Sequence, residues 1–226
     1  MGGTWESQNK VLPGAYINIK TNAPLSITPG DRGIVVILQE MSVGEDGEMY
    51  TITATDQAYP EKATAEDKKL ATEALKKAKT VIIYKLPDGH DTEAVNAALA
   101  KLKTVQFHTL CYPFDGSTPA TATANKTAIA TWIKAMRNDE GVKCQAVLAN
   151  HVADDEGVIN VAQGIVLTGN VTLTPAETTA WVAGATAGAS ITTSNTGTKY
   201  VGAIDVSPRM TKSEMEAAVK AGKFIF

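Results

Sequence analysis

From Gly33 onward the chain alternates short apolar runs with stretches of helical periodicity. Ile34 to Leu38 are five consecutive apolar residues, the pattern of a strand buried on both faces. Gly44-Glu45-Asp46-Gly47 predicts a turn, and residues 48–53 then read as the returning strand of a hairpin. Thr64-Ala65-Glu66-Asp67 has the form of a capping box, with Thr64 accepting from the amides of the first turn. Behind it Leu70, Ala71, Ala74, Leu75 and Ala78 share one helical stripe, opposite Lys68, Lys69, Lys76 and Lys79. Residues 80–84 predict a buried strand closed by Pro87-Asp88-Gly89. Asp91 then caps a helix carrying Val95, Ala98, Leu99 and Leu102. Residues 105–111 are the next strand, and 117–123 a Thr/Ala/Pro loop. Ile129, Trp132, Ile133 and Met136 mark a helix followed by Gly141, and 142–148 a third strand. After Asp154-Asp155-Glu156-Gly157, residues 158–166 read as one strand. Thr174-Pro175-Ala176-Glu177 unites a cap, a first-turn proline and a box glutamate; its helix carries Ala180, Gly184 and Gly188, small residues four apart that permit close backbone packing. Thr211-Lys212-Ser213-Glu214 opens a last helix ended by Gly222, and Lys223-Phe224-Ile225-Phe226 begins another strand.

Strands and helices in alternation with short links imply an α/β fold: a mostly parallel mixed sheet flanked by helices. Residues 1–32 break the pattern and predict an extended N-terminal arm, rich in Gly, Pro and Asn. Its one strand-like piece is 15–21, where Tyr16, Asn18 and Lys20 alternate with Ala15, Ile17, Ile19 and Thr21. Flanked by Pro13-Gly14 and Asn22-Ala23-Pro24, such a strand cannot satisfy its own backbone groups. It must pair with its own body or with another molecule. The expected organisation is therefore an arm, 1–32, and an α/β body, 33–226. That body breaks off in an apolar strand, as if truncated at its C-terminal end.

Composition narrows the function classes. The 226 residues are 44% hydrophobic and 20% charged, and 21 Lys plus Arg against 24 Asp plus Glu leave a net charge of -3. That balance supplies no basic field for a nucleic-acid backbone. Cys111 and Cys144, the only two cysteines, build neither a disulfide framework nor a Cys-rich zinc site; lying in apolar runs, they predict buried thiols of an intracellular chain. The N-terminus has no basic start or apolar stretch that would make a signal peptide, and no apolar run reaches the ~20 residues of a membrane helix.

The β-α alternation raises the alternative of a small-molecule-binding or enzymatic domain of doubly wound type. Neither G-x-G-x-x-G after a strand nor G-x-x-x-x-G-K-S/T is present, and the loops Pro87-Asp88-Gly89 and Pro113-Phe114-Asp115-Gly116 place an acid where phosphate would sit. G-x-S-x-G is absent as well. His90, His108 and His151 are the only imidazoles. His151 with Asp154 and Asp155 reads as a solvated turn, and His108 and Cys111 fall on opposite faces of one strand. Trp132 and Trp181 fall on helix stripes and read as core. No catalytic, cofactor or metal residue is predicted.

Gly2-Gly3-Thr4-Trp5, Gln8-Asn9-Lys10 and 12–18 resemble the N-terminal arm of contractile tail sheath proteins, from phages, defective prophages and phage-tail-like bacteriocins of Gram-positive bacteria. Arg32-Gly33-Ile34-Val35, Glu140-Gly141-Val142-Lys143, 154–161, 180–188 and Ser194-Asn195-Thr196 extend the resemblance through the body. Sheath proteins of this kind are longer, so the resemblance implies an N-terminal portion lacking the C-terminal domain. It implies a structural subunit, not an enzyme, that polymerises around the tail tube in stacked rings and contracts to drive the tube through an envelope. The implied partners are further copies, the tube protein, baseplate and tail terminator, with no cofactor, membrane or direct nucleic acid. The implied location is the virion tail, assembled in the bacterial cytoplasm. Ala15, Tyr16, Ile17, Asn18, Ile19, Lys20 and Thr21 are the expected inter-subunit strand, and this chain alone is expected to be monomeric or weakly associated.

Overall fold

Strands apolar on both sides need cover on both sides, and the helices supply it. The computed structural model describes residues 32–55, 57–116, 119–190, 192 and 194–226. A seven-stranded sheet holds β1 (Ile34–Glu40), β2 (Met49–Thr53), β3 (Thr80–Leu86), β4 (Thr109–Tyr112), β5 (Gln145–Ala149), β6 (Val158–Val161) and a short strand, Lys223–Phe224, in the order Lys223–Phe224, β6, β5, β4, β1, β3, β2. All neighbours are parallel except β2, which runs antiparallel to β3. Side-chain parity then sorts the core. Val35, Ile37, Val81, Ile83, Cys111 and Val147 face α1 (Ala65–Leu75) and α4 (Pro175–Ala187). Val36, Leu38, Tyr84, Leu86, Leu110 and Leu148 face α2 (Thr92–Leu102) and α3 (Ala122–Asn138).

The expected α/β class and mostly parallel sheet are present, and Thr64, Asp91 and Thr174 cap their helices as anticipated. Thr211 likewise caps α5 (Lys212–Lys220). The hairpin is not formed. β2 pairs with β3 rather than β1, because β1 is buried on both faces and takes β3 and β4 as neighbours. Residues 49–53 bury only Ile52 fully and so belong at an edge. The strand expected at 142–148 starts at Gln145: Val142 and Cys144 are spent on turn bonds, Val142 N to Met136 O and Cys144 N to Val142 O. The strand expected from 105 starts at Thr109. Helix α3 begins inside the expected loop, at Ala122, without a side-chain cap, since the Thr121 hydroxyl donates to His90 O instead.

The single strand expected over 158–166 is two strands in two sheets. β6 ends at Val161, and β7 (Gly164–Leu167) joins a separate antiparallel sheet between β8 (Val171–Leu173) and β9 (Ala203–Ser207). Gln163 makes the break. Its buried side-chain amide donates to Pro208 O (3.0 Å) and accepts from Phe226 N (2.9 Å), while its carbonyl accepts from Thr178 Oγ1 (2.9 Å). The expected strand 15–21 and the arm lie outside the described residues.

Two local devices set stability. Added Cβ atoms at Gly184 and Gly188 would overlap the carbonyls of Ala74 and Lys77, so α4 meets α1 backbone to backbone. Asp67 closes the capping box of α1 and also accepts from Ser42 N (2.8 Å) and Ser42 Oγ (2.6 Å). Burial alone would raise its carboxyl, but the bonds from Ser42 and Thr64 outweigh it and hold the pKa at about 2.

Gly184→Ala is therefore expected to destabilise the fold by about 2–3 kcal/mol through overpacking, read as a lower urea midpoint at unchanged slope. The folded pKa of Asp67 lies below its ordinary 3.8, so its contribution is present above that value and disappears as pH falls toward 2. Wild type should exceed Asp67→Asn by about 2 kcal/mol at neutral pH, a gap that closes by about pH 2 in urea titrations.

Candidate functional site

In an open α/β sheet a ligand binds outside the carboxyl ends of the strands, where the strand order reverses. Here the chain leaves β1 for β3 on one side and then builds β4, β5 and β6 on the other, so the reversal lies between β1 and β4. Glu40 ends β1, Tyr112 ends β4, and His90 follows the turn after β3. His90 is only 2% exposed. Its Nδ1 lies 2.8 Å from Glu40 Oε1 and its Nε2 2.7 Å from the Tyr112 hydroxyl. Asn125 Nδ2 donates to that hydroxyl (2.8 Å), and Thr92 Oγ1 donates to Asn125 Oδ1 (2.8 Å). Both ring nitrogens of His90 therefore have a polar partner, a carboxylate on one side and a hydroxyl on the other. Burial pushes the Tyr112 hydroxyl up to about 12 against the Asn125 bond. Phe114 packs on His90 with ring centroids 4.7 Å apart. At the reversal of strand order these side chains satisfy one another's polar groups.

The other candidate groups are not brought together. His108 Nδ1 accepts from Ile34 N, while Cys111 lies against Thr179 Oγ1 (3.2 Å), its thiol pushed by burial up to about 12. Asp155 accepts from Gly157 N and pairs with Lys134, Asp154 is exposed, and burial together with the Lys126 charge lowers the pKa of His151. Among the described residues no group of three or more His, Cys, Asp or Glu is placed to hold a metal ion. Trp181 is core, stacked on Tyr200 at 4.4 Å, whereas Trp132 is half-buried against Phe107. The sequence reading missed Tyr200, whose hydroxyl donates to buried Glu73 (2.5 Å); its sole signal was an aromatic in a polar loop.

What the fold leaves open is strand edge. The outer sides of β8 and β9 have no strand partner among the described residues, and Val171, Val201 and Ile204 there are 48%, 64% and 60% exposed. Such edges are templates for added strands.

Comparison with known proteins fits this picture. The profile of the phage tail sheath protein central domain matches residues 88–226, and that of the tail sheath protein Gp18 domain III N-terminal region matches residues 32–86. The chain belongs to the phage tail sheath protein family. It is 30% identical over 221 residues to the tail sheath protein of Clostridium phage phiCD119, covering 92% of this chain and 57% of that protein. It is 36% identical over 146 residues to the phage-like element PBSX protein XkdK of Bacillus subtilis strain 168, covering 63% of this chain and 30% of that protein. The sheath tail protein of Desulfitobacterium hafniense has the same fold, with a TM-score of 0.76 at 29% identity over 94% of this chain and 71% of that one. The chain thus spans between 30% and 57% of the length of these two curated relatives. Membership places this sheath family chain among structural proteins rather than enzymes. The two matched segments meet between β3 and α2, yet both contribute strands to the seven-stranded sheet.

If the His90 network is structural, His90→Leu should destabilise the fold by about 2–3 kcal/mol, since Glu40 and Tyr112 lose a buried partner. His151→Ala should stay within about 0.5 kcal/mol of wild type in the same denaturation series.

Proposed function

We propose that this chain serves in a contractile tail sheath, polymerising around the tail tube and contracting to drive the tube through a target cell envelope. The family match across residues 32–226, with a sheath tail protein fold over nearly the whole chain, carries this reading. The partners it calls for are further copies in stacked rings, the tube protein, the baseplate and the tail terminator. Its place is the virion tail after assembly in the bacterial cytoplasm.

Within this reading the chain divides into an arm, 1–32, and an α/β body, 33–226. Ala15, Tyr16, Ile17, Asn18, Ile19, Lys20 and Thr21 form the strand lent to a neighbour. Main-chain bonds would supply its affinity and the alternating side chains its register. The alternation of that segment and its Pro- and Gly-containing flanks support the assignment.

The test is Ile17→Pro in particles built from the sheath protein that contains this sequence. Proline removes one main-chain donor whichever way the side chains point. Tubes should vanish from electron micrographs while the thermal midpoint of the purified protein stays near wild type. Normal contractile sheaths would refute strand exchange, and outright unfolding would assign the segment to the body's own sheet.

A further inference from the structure

Between α4, β9 and Phe226 lies a groove of about 550 Å³, with Trp181, Val182, Ala185 and Tyr200 among its walls. Four successive residues of β9, Ala203 to Val206, also border it. Side chains alternate between the faces of a strand, so a wall that takes residues in succession runs along the strand's edge. One edge of β9 is bonded to β7, and the other has no strand partner among the described residues. Val201 and Ile204 stand exposed beside that free edge.

One donor at the groove is unused. Trp181 is 3% exposed and stacks on Tyr200, with the Phe226 ring against both. Its indole N–H nevertheless has no hydrogen-bond acceptor among the described residues. A buried donor of this kind calls for a partner. An extended backbone laid along β9 brings carbonyl oxygens into the groove and so offers one.

The described chain begins beside this groove. A Cβ at Gly33 would overlap the carbonyl group of Ala187, and Ala185, one of the groove's walls, lies two residues earlier on α4. Two residues are about 3 Å along a helix, so residues 1–31 join the body within one turn of the groove. Residues 22–31 can span up to about 35 Å, whereas the five residues of β9 are about 17 Å long. The segment 15–21 therefore reaches the whole edge. Its alternation suits the place: Ala15, Ile17 and Ile19 for the apolar wall, Tyr16, Asn18 and Lys20 for the solvent side.

We propose that in the single chain the strand 15–21 lies in this groove against the β9 edge of its own molecule, a self-cover that must open before the strand can be lent. The inference rests on the reading of 15–21 as a lent strand and adds what holds it beforehand. A free apolar edge invites indiscriminate pairing, and covering it is a common remedy. A tether of ten residues gives the cover a high effective concentration, so a stray strand in solution competes poorly. Only a neighbour that holds the strand better than its own groove does can open the cover.

Hydrogen exchange followed by NMR on the full 226-residue chain tests the self-cover. In wild type the outward amides of β9 and the Trp181 indole N–H should exchange about tenfold or more slowly than in Ile17→Pro or in the double variant Ile17→Asp, Ile19→Asp. The wild-type rates should not change with protein concentration, and the amides of β1 and β5 should exchange alike in all three proteins. Equal β9 rates in the three proteins would overturn the proposal. So would protection that grows with concentration, which would put the strand of a second copy in the groove. Loss of protection throughout β1 and β5 would also overturn it, since the segment would then belong to the core. Tube formation reports separately on lending: if β9 is unprotected in the single chain while Ile17→Pro still abolishes tubes, the self-cover is wrong and strand exchange stands.

Discussion

The close contact of α4 with α1 is the constraint on which the remaining packing depends. Helix α4 has almost no solvent face: nearly every residue from Ala176 to Ala187 is buried. Because Gly184 and Gly188 carry no Cβ, the α1 backbone can sit directly against it. From that position the helix ties in the sheet, with Thr109 Oγ1 donating to Ala183 O (3.0 Å), and the later loop, with Asn195 Nδ2 donating to Ala185 O (2.8 Å). Trp181 then stacks on Tyr200, and Tyr200 reaches back to Glu73 on α1. A bulkier seam would separate α1 from the sheet and loosen each of these links.

Polar groups inside this framework fix the arrangement of its elements. Gln163 uses both ends of its side chain to mark where the large sheet ends and the antiparallel sheet begins. His90, Glu40, Tyr112, Asn125 and Thr92 do the same at the reversal between β1 and β4. A buried network in which each member has a partner is specific, since shifting any one element strands several donors at once.

The surface adds open strand edge. Among the described residues the outer sides of β8 and β9 have no strand partner and offer main-chain groups. Backbone pairing is short-ranged and geometric, so such an edge selects a partner by strand register.

Much of the body was legible in the sequence. The five-residue run at 34–38, the stripes at 95–102 and 129–136 and the Thr-x-x-Asp/Glu boxes each depend on neighbours in sequence, and each appears where periodicity and capping placed it. The missing phosphate loops were equally plain, and the sheath resemblance rested on local motifs. Strand order was not legible: that β2 pairs with β3 follows from which strands must be buried on both faces, a property of the assembled sheet. Nor was the division of 158–166, which looks like one apolar run until Gln163 finds Thr178, Pro208 and Phe226, all distant in sequence. His90 read as one lone imidazole among three, and only tertiary contact made it the centre of a network. Local pattern determines which segments are strands and helices, because those choices are made within a few residues. Pairing, register and the linking of His90 to Glu40 and Tyr112 are decided by long-range burial and by the need of buried polar groups for partners.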